Sequence, residues 1–92
     1  MRILLVEDEE YMAQAVAQVL EKNNYTVDLA HDGEYGLDCA LSGIYDIIIL
    51  DIMLPRRSGL EILKTLRQEK MGTPVLLLTA KSETEDKVMG LD

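Results

Sequence analysis

Segments with the character of β-strands alternate with segments of helical periodicity along the whole chain, and this alternation restricts the fold more than any other feature of the sequence. Four segments have strand character: Arg2 to Val6, Tyr25 to Leu29, Ile47 to Leu50 and Val75 to Leu78. The first shows no alternation of polar and apolar residues, as expected of a strand that is covered on both faces. The third is rich in branched side chains, which favours a central position in a sheet.

The segments between these strands predict helices. The first, from about Glu9 to Asn23, carries an apolar stripe at helical spacing, formed by Ala13, Val16, Ala17 and Leu20. A second helix follows the turn at Asp32-Gly33 and ends near Gly43. Two S-x-x-E patterns are typical of capping boxes and predict the starts of a third and a fourth helix: Ser58 with Glu61, and Ser82 with Glu85.

This order of elements predicts an α/β fold, a doubly wound parallel sheet with helices on both faces. The carboxyl ends of parallel strands meet at one edge of the sheet, where ligands of such folds bind. Glu7 and Asp8 follow the first strand, Asp51 closes the third and Thr79 follows the fourth. Carboxylates brought that close repel and raise one another's pKa unless a divalent cation lies among them. The sequence therefore predicts a Mg²⁺ site at this edge.

Composition narrows the functions that are open to the chain. At 92 residues it is at most one domain, and Lys and Arg number 9 against 17 Asp and Glu, a formal net charge of -8. Because this charge repels a phosphate backbone, we expect no direct contact of this segment with nucleic acid. No apolar stretch approaches the roughly 20 residues of a transmembrane helix and no secretory signal pattern is present, so we expect a cytoplasmic chain without a membrane partner.

Other interpretations stay open for the same residues. Glu9 and Glu10 fit a helix N-terminus, where each carboxylate stabilises the helix by roughly 0.3–1 kcal/mol. Asp51 alone could be a turn residue, and Thr79 a threonine that bonds its own backbone. A dinucleotide-binding enzyme would need a glycine-rich turn where this chain has Glu7 and its acidic neighbours. An aspartate-nucleophile phosphatase typically has a second aspartate two residues after the first, a position held here by Met53.

The chain resembles the receiver domain of two-component response regulators over essentially all of its length. The motifs that carry the resemblance are Ile3-Leu4-Leu5-Val6-Glu7-Asp8-Glu9, Asp32-Gly33, Tyr45-Asp46, Leu50-Asp51-Ile52-Met53-Leu54-Pro55, Ser58-Gly59, Pro74-Val75 and Leu78-Thr79-Ala80. The stretch from Met53 to Gly59 is most similar to the OmpR/PhoB-type branch, whose members carry a winged-helix DNA-binding domain. The resemblance implies a flavodoxin-like (CheY-like) receiver fold with strand order 2-1-3-4.

The resemblance also implies a role for each residue of the site. Asp51 would be the phosphoacceptor for a phosphoryl group from a sensor histidine kinase. Asp8, Asp51, the main-chain carbonyl of Met53 and, through water, Glu7 would hold Mg²⁺. Thr79 would donate its hydroxyl, and Ala80 its backbone N–H, to the phosphoryl group. The chain would take phosphate on its own residue by Mg²⁺-dependent chemistry, without being an enzyme toward other substrates, and would normally control a DNA-binding output domain.

One departure from the family pattern concerns the fifth strand, which in receiver domains brings a lysine to the phosphoryl group. No part of the sequence matches this strand, so residues 1–92 are expected to form a receiver domain that ends before it and its helix. Lys81 lies on the loop after the fourth strand and does not take the place of the missing lysine. We then expect an unpaired sheet edge at Val75 to Leu78 and an uncovered stripe on the first helix. We also expect self-association, through that edge or by exchange of elements between chains. The alternative function is that of a receiver-like interaction module that is not phosphorylated.

Overall fold

The computed structural model describes residues 1–78 and 88–89. In chain order its elements are β1 (Arg2–Val6), α1 (Glu10–Lys22), β2 (Thr26–Ala30), α2 (Gly33–Leu41), β3 (Ile47–Asp51), α3 (Gly59–Gln68), β4 (Val75–Leu78) and β5 (Val88–Met89). The strands and helices that the sequence predicts before residue 79 are all present, with small shifts at their ends. The predicted capping box of Ser82 and Glu85 lies outside the described residues.

The strands form one sheet in the order β2-β1-β3-β4-β5, and the first four are parallel. The predicted order 2-1-3-4 is therefore confirmed. The chain leaves β1 toward β2 and then returns to β3 on the other side of β1, so the connections diverge between β1 and β3. Such a switch point opens a crevice at the carboxyl ends of the two strands, where ligands of doubly wound folds bind.

A short fifth strand covers part of the edge that we expected to be unpaired. Val88–Met89 runs antiparallel to β4, with Val88 opposite Leu78 and Met89 opposite Leu77. The sequence instead predicted a helix that opens near Glu83 and runs through this segment. A capping box is a local signal, whereas backbone groups left free on β4 can recruit any nearby segment as a strand. The expectation of a wholly unpaired edge is wrong at Leu77 and Leu78.

Apolar layers cover both faces of the sheet. On one face, α2 and α3 pack against β1, β3 and β4 through a buried cluster that includes Leu4, Val6, Leu37, Ile48, Leu50, Ile62, Leu66 and Leu77. On the other face, α1 packs through Ala13 against Ile3, Leu5 and Ile49. The predicted placement of helices on both faces is confirmed.

The stripe on α1 is more protected than we expected. Ala13 and Ala17 are 0% and 6% exposed, while Val16 and Leu20 are partly buried. The connection from β1 to β2 places α1 directly over these two strands, so the sheet covers the stripe of α1 without the help of another helix. The expectation of an uncovered stripe is therefore wrong for Ala13 and Ala17.

Side-chain caps start the helices at the same edge of the sheet where the parallel strands end. Glu9 accepts the backbone N–H of Met12 at 2.9 Å, and Asp32 accepts that of Tyr35 at 2.8 Å. Ser58 and Glu61 form the predicted capping box at the start of α3. The positive ends of the helix dipoles therefore lie near the carboxyl ends of β1, β2 and β3.

A polar network ties the strands together at the opposite end of the sheet. The hydroxyl of Tyr45 donates to Oδ2 of Asp28 at 2.6 Å, and Nη2 of Arg2 donates to the same oxygen at 3.0 Å. The bond from Tyr45, and then those from Arg2, hold the pKa of Asp28 below its usual range. The network joins β1, β2 and the start of β3, and so supports the register that brings the other ends of these strands together.

Two leucines of α3 provide a test of this packing. Leu66 is 0% exposed in the core, whereas Leu60 is 52% exposed on the same helix. We expect Leu66→Ala to lower the free energy of unfolding by about 2–5 kcal/mol because it removes buried methylene groups and leaves a cavity. Leu60→Ala is the matched control and should change it by about 0.5 kcal/mol or less. Urea denaturation followed by circular dichroism measures both, and equal losses would contradict the described position of α3.

Candidate metal centre

Three carboxylates meet where β1 and β3 end. One oxygen from each of Glu7, Asp8 and Asp51 lies within 4.8 Å of the others. Glu7 and Asp8 follow β1 directly, and Asp51 is the last residue of β3. The strands pair in register with Val6 opposite Leu50, which brings these acids side by side. The structure thus brings together the acids that the sequence predicted to meet.

The three acids differ in their burial. Asp51 is 7% exposed and is the one charged side chain in the core of the described part of the chain, whereas Glu7 is half-buried and Asp8 is exposed. Oδ1 of Asp51 accepts the backbone N–H of Met53 at 3.1 Å. A buried charge is costly unless it is paired or coordinates a metal. Asp51 therefore lies in an environment that favours a cation beside it.

The carboxyl of Glu7 is affected by the same crowding. The pKa of Glu7 is raised to about 7, chiefly by burial and in addition by the negative charges of Asp51 and Asp8, against a lowering by the backbone N–H of Glu9. This N–H donates to Oε2 of Glu7 at 3.0 Å. A carboxyl with this pKa holds a proton in a large fraction of molecules at neutral pH, so proton and cation compete for the site.

The geometry and the chemistry of these donors fit Mg²⁺. Mg²⁺ prefers six oxygen ligands at about 2.0–2.1 Å, so two ligand oxygens lie about 2.9 Å apart when adjacent and about 4.1 Å apart when opposite. The carboxylate oxygens of the trio, all within 4.8 Å of one another, need only a small movement to reach these separations. Part of the trio is exposed, which leaves room for the waters that Mg²⁺ usually keeps.

An open cavity of about 340 Å³ lies beside the three acids. Its apolar walls come from Met12 and Val16 of α1, Met53 of the loop after β3, and Leu78 of β4. The sequence predicted Met53 at the site, through its main-chain carbonyl, but it did not predict that Met12, Val16 and Leu78 line a cavity there. The signal that could have predicted Met12 was helical spacing, because Met12 lies about one turn after Glu9 at the start of α1.

Other residues that the sequence singled out have the following positions. Met53 lines the cavity beside Asp51, and its side chain is 67% exposed. Glu9 is the N-cap of α1, which agrees with the helix-terminus interpretation. His31 is exposed, and its Nδ1 lies 3.1 Å from the main-chain oxygen of Glu7. Thr79 and Ala80 lie outside the described residues.

The loop from β3 to α3 is closed tightly at its base. The backbone N–H of Gly59 donates to the carbonyl of Ile52 at 2.9 Å, and a Cβ at Gly59 would overlap the main-chain oxygen of Asp51. The start of α3 can therefore lie directly against the end of β3 only because residue 59 has no side chain. The sequence marked Gly59 as part of a motif but did not predict this contact.

A family model for the response regulator receiver domain matches residues 3–92. The chain belongs to this family. Among curated proteins it is 54% identical over 92 residues to the transcriptional regulatory protein DltR of Streptococcus agalactiae, covering 100% of this chain and 41% of that protein. It is 56% identical over 90 residues to the response regulator ArlR of Staphylococcus epidermidis, covering 98% of this chain and 41% of that protein. The chain thus spans about two-fifths of the length of these relatives.

Solved structures show the same fold. The receiver domain of a Francisella response regulator has a TM-score of 0.84 and 34% identity, over 94% of this chain and 71% of that one. The response regulator TrrA of Thermotoga maritima, solved in complex with Mg²⁺ and BeF, has a TM-score of 0.82 and 41% identity, over 88% of this chain and 70% of that one. The predicted receiver fold is confirmed, and the chain is a receiver domain of a two-component response regulator.

The relatives also bear on the predicted branch of the family. Similarity to a protein named as a transcriptional regulator agrees with the resemblance to the branch that carries a DNA-binding domain.

None of the helices in the described ranges 1–78 and 88–89 has the length and apolar character needed to cross a bilayer.

The raised pKa of Glu7 predicts how stability depends on pH without metal. The pKa lies at about 7 in the folded chain against an ordinary 4.5, so the folded state binds this proton more tightly than the unfolded chain does. The resulting stabilisation is complete below about pH 4.5 and is lost as the pH rises through about 7. We expect the Tm of the metal-free protein, measured in EDTA, to fall over this window.

The comparison that isolates Glu7 is Glu7→Gln, which keeps a neutral side chain at every pH and should flatten this part of the profile. Glu21→Gln, at an exposed position of α1, is the matched control and should leave the profile unchanged. Identical pH profiles of Tm for the wild type and Glu7→Gln would show that Glu7 does not titrate in this way.

Proposed function

We propose that this receiver domain accepts a phosphoryl group on Asp51 from a sensor histidine kinase, with Mg²⁺ bound by Asp8, Asp51, the main-chain carbonyl of Met53 and, through water, Glu7. The observation that supports this most directly is the position of Asp51. Its carboxylate lies in the core at the end of β3, with an oxygen within 4.8 Å of oxygens of two further acids, and it faces an open cavity.

The proposed step is a transfer between two side chains. An oxygen of Asp51 attacks the phosphorus of a phosphohistidine, the O–P bond forms as the bond from phosphorus to the histidine nitrogen breaks, and Asp51 becomes an acyl phosphate. Phosphoryl transfer needs little covalent chemistry from a protein, so most of the catalysis is alignment and neutralisation of charge. The open cavity next to Asp51 gives a kinase side chain access to the attacking oxygen.

The charges of the site explain why a cation is part of the proposal. Transfer adds a phosphoryl group beside Glu7 and Asp8, in a place that already repels negative charge. When bound, Mg²⁺ would neutralise charge on the phosphoryl oxygens. The hydrogen bond from Met53 to Asp51 would hold one carboxylate oxygen in place and leave the other to react.

Thr79 and Ala80 complete the proposal through the family resemblance. The hydroxyl of Thr79 and the backbone N–H of Ala80 would donate to the phosphoryl oxygens, and movement of Thr79 toward the phosphate would start the conformational response. In a longer protein, this response would control a DNA-binding output domain. We propose a cytoplasmic location for this signalling and no direct contact of this segment with nucleic acid or membrane.

Phosphorylation of Asp51 can be tested with a small phosphodonor. Incubation of the chain with acetyl phosphate and Mg²⁺ should add the mass of one phosphoryl group, detected by intact-mass spectrometry, because the carboxylate of Asp51 lines an open cavity beside the proposed cation site. Asp51→Asn should abolish the gain, and EDTA should suppress it in the wild type.

Asp38→Asn changes an exposed acid on α2 and serves as the matched control, which should be phosphorylated like the wild type. Absence of any mass gain in the wild type would favour the alternative, an interaction module that is not phosphorylated. A gain that persists in Asp51→Asn would place the phosphoacceptor elsewhere.

We also propose that the chain self-associates through the edge of β4. Pairing with β5 reaches Leu77 and Leu78 in the described residues, and the register does not extend to Val75 or Leu76. Leu76 is only partly buried on the face that α1 covers. Free backbone groups next to exposed apolar surface favour pairing with another chain.

Sedimentation velocity over a wide range of concentrations measures this association. The wild type should shift toward dimers as concentration rises, and Leu76→Lys should shift less because a lysine on an edge strand opposes strand pairing. Leu60→Lys introduces the same charge at an exposed position of α3 and should associate like the wild type. A well-folded wild type that stays monomeric at every concentration would contradict the proposal.

A further inference from the structure

We propose that Gly33, the first residue of α2, is a positioning residue for the candidate metal centre. It contacts the loop between β3 and α3 and keeps the backbone of that loop in place. This inference rests on the proposed function, since the loop carries Met53 and adjoins Asp51. Gly33 touches neither of these residues in the described contacts and acts through Pro55 and Arg57.

The first contact is a hydrogen bond between two separate chain segments. The backbone N–H of Gly33 donates to the carbonyl of Pro55 at 3.0 Å. The first N–H groups of a helix have no partner within the helix. In α2 the N–H of Tyr35 is taken by the cap Asp32, while the N–H of Gly33 is directed to the loop. The start of α2 therefore supplies a donor that the loop would otherwise lack.

The second contact is steric and explains why residue 33 is a glycine. A Cβ at Gly33 would overlap the main-chain oxygen of Arg57 and lie 2.9 Å from its Cβ. The backbone of Gly33 does not require glycine for its conformation, since Gly43 is the one glycine with positive φ in the described residues. Glycine also weakens a helix relative to alanine. The absence of a side chain at Gly33 thus leaves space for Arg57 of the loop.

The loop is strained and therefore depends on such support. The N–H of Arg57 donates to the carbonyl of Pro55 at 2.8 Å across a three-residue turn, and the central residue, Arg56, has a φ of 73°. Three-residue turns of this hand are rare and strained, and such backbone persists only where the surroundings hold it. The carbonyl of Pro55 accepts both the bond that closes this turn and the bond from Gly33.

The loop in turn orients the carboxylate of Asp51. Met53, two residues before Pro55, donates its N–H to Oδ1 of Asp51, and Ile52 accepts the N–H of Gly59 at the base of the loop. A shift of Pro55 away from Gly33 would therefore move the backbone that fixes one oxygen of Asp51. Partners that orient ligands without binding the metal themselves typically change metal affinity by about 10- to 100-fold when they are altered.

The variant that tests this is Gly33→Ala, with Mg²⁺ affinity measured by isothermal titration calorimetry on the chain as it is. We expect the Kd for Mg²⁺ to rise by about 10- to 100-fold. Gly36→Ala is the matched control on the same helix, where a Cβ would lie 2.7 Å from Cγ1 of Val6 in the core and away from the loop. It should lower the Tm and leave the Kd unchanged. Gly72→Ala, with nothing within 4 Å of the added Cβ, should change neither.

The outcomes separate this inference from the proposed function. If the wild type binds Mg²⁺ and Gly33→Ala binds it equally well, the inference is overturned and the proposed function stands. If Gly36→Ala weakens binding as much as Gly33→Ala, the effect is general loss of stability and the inference is also overturned. A wild type that binds no Mg²⁺ overturns the proposed function and this inference with it.

Amide hydrogen exchange of the wild type provides a test that no folding defect can obscure. The N–H of Gly33 should exchange more slowly than in an unstructured peptide because Pro55 accepts it. If the bond supports the metal-binding form of the loop, Mg²⁺ must by linkage support the bond, and its addition should slow this exchange further. Exchange of Gly33 that is unprotected, or that Mg²⁺ leaves unchanged, would overturn the inference.

Discussion

Repulsion among three carboxylates at the ends of β1 and β3 is the constraint on which the rest of this structure depends. The in-register pairing of these strands places Glu7 and Asp8 beside Asp51, and the core around β3 buries Asp51 to 7% exposure. Neither feature is favourable by itself, because like charges repel and a buried charge loses its hydration. The pKa of Glu7 is raised to about 7, first by the burial of Glu7 itself and then by the charges of Asp51 and Asp8. A divalent cation among the three acids would remove both costs at once and would tie the folding of this edge to metal binding.

Glycines bring the backbone close enough to hold this arrangement. Gly59 allows the start of α3 to lie against the end of β3, and Gly33 allows the start of α2 to lie against the loop between them. Side chains at either position would separate segments that exchange backbone hydrogen bonds. The candidate metal centre is therefore supported from the side of α2 and α3, whereas on the side of α1 it opens into an apolar cavity. Support on one side and access on the other suit the proposed transfer of a phosphoryl group from a partner.

Much of the fold was readable from the sequence because the signals are local. Apolar runs, helical spacing and the Ser58 capping box each depend on residues that are near in sequence, and each element predicted before residue 79 is present. The position of β5 was not readable in this way. A capping pattern favoured a helix there, while the strand forms against backbone groups of β4, which lie outside the few residues that a capping pattern spans.

By itself, the sequence determined the order of the elements, the parallel sheet and the set of acids at its edge, since strand and helix patterns settle which residues end at which side. Only the tertiary structure decided how these acids differ. Burial of Asp51, the pKa of Glu7, the apolar walls of the cavity and the contact of Gly33 with the loop all arise between segments that are far apart along the chain. Such properties depend on distances through space, and no local pattern of residues encodes them.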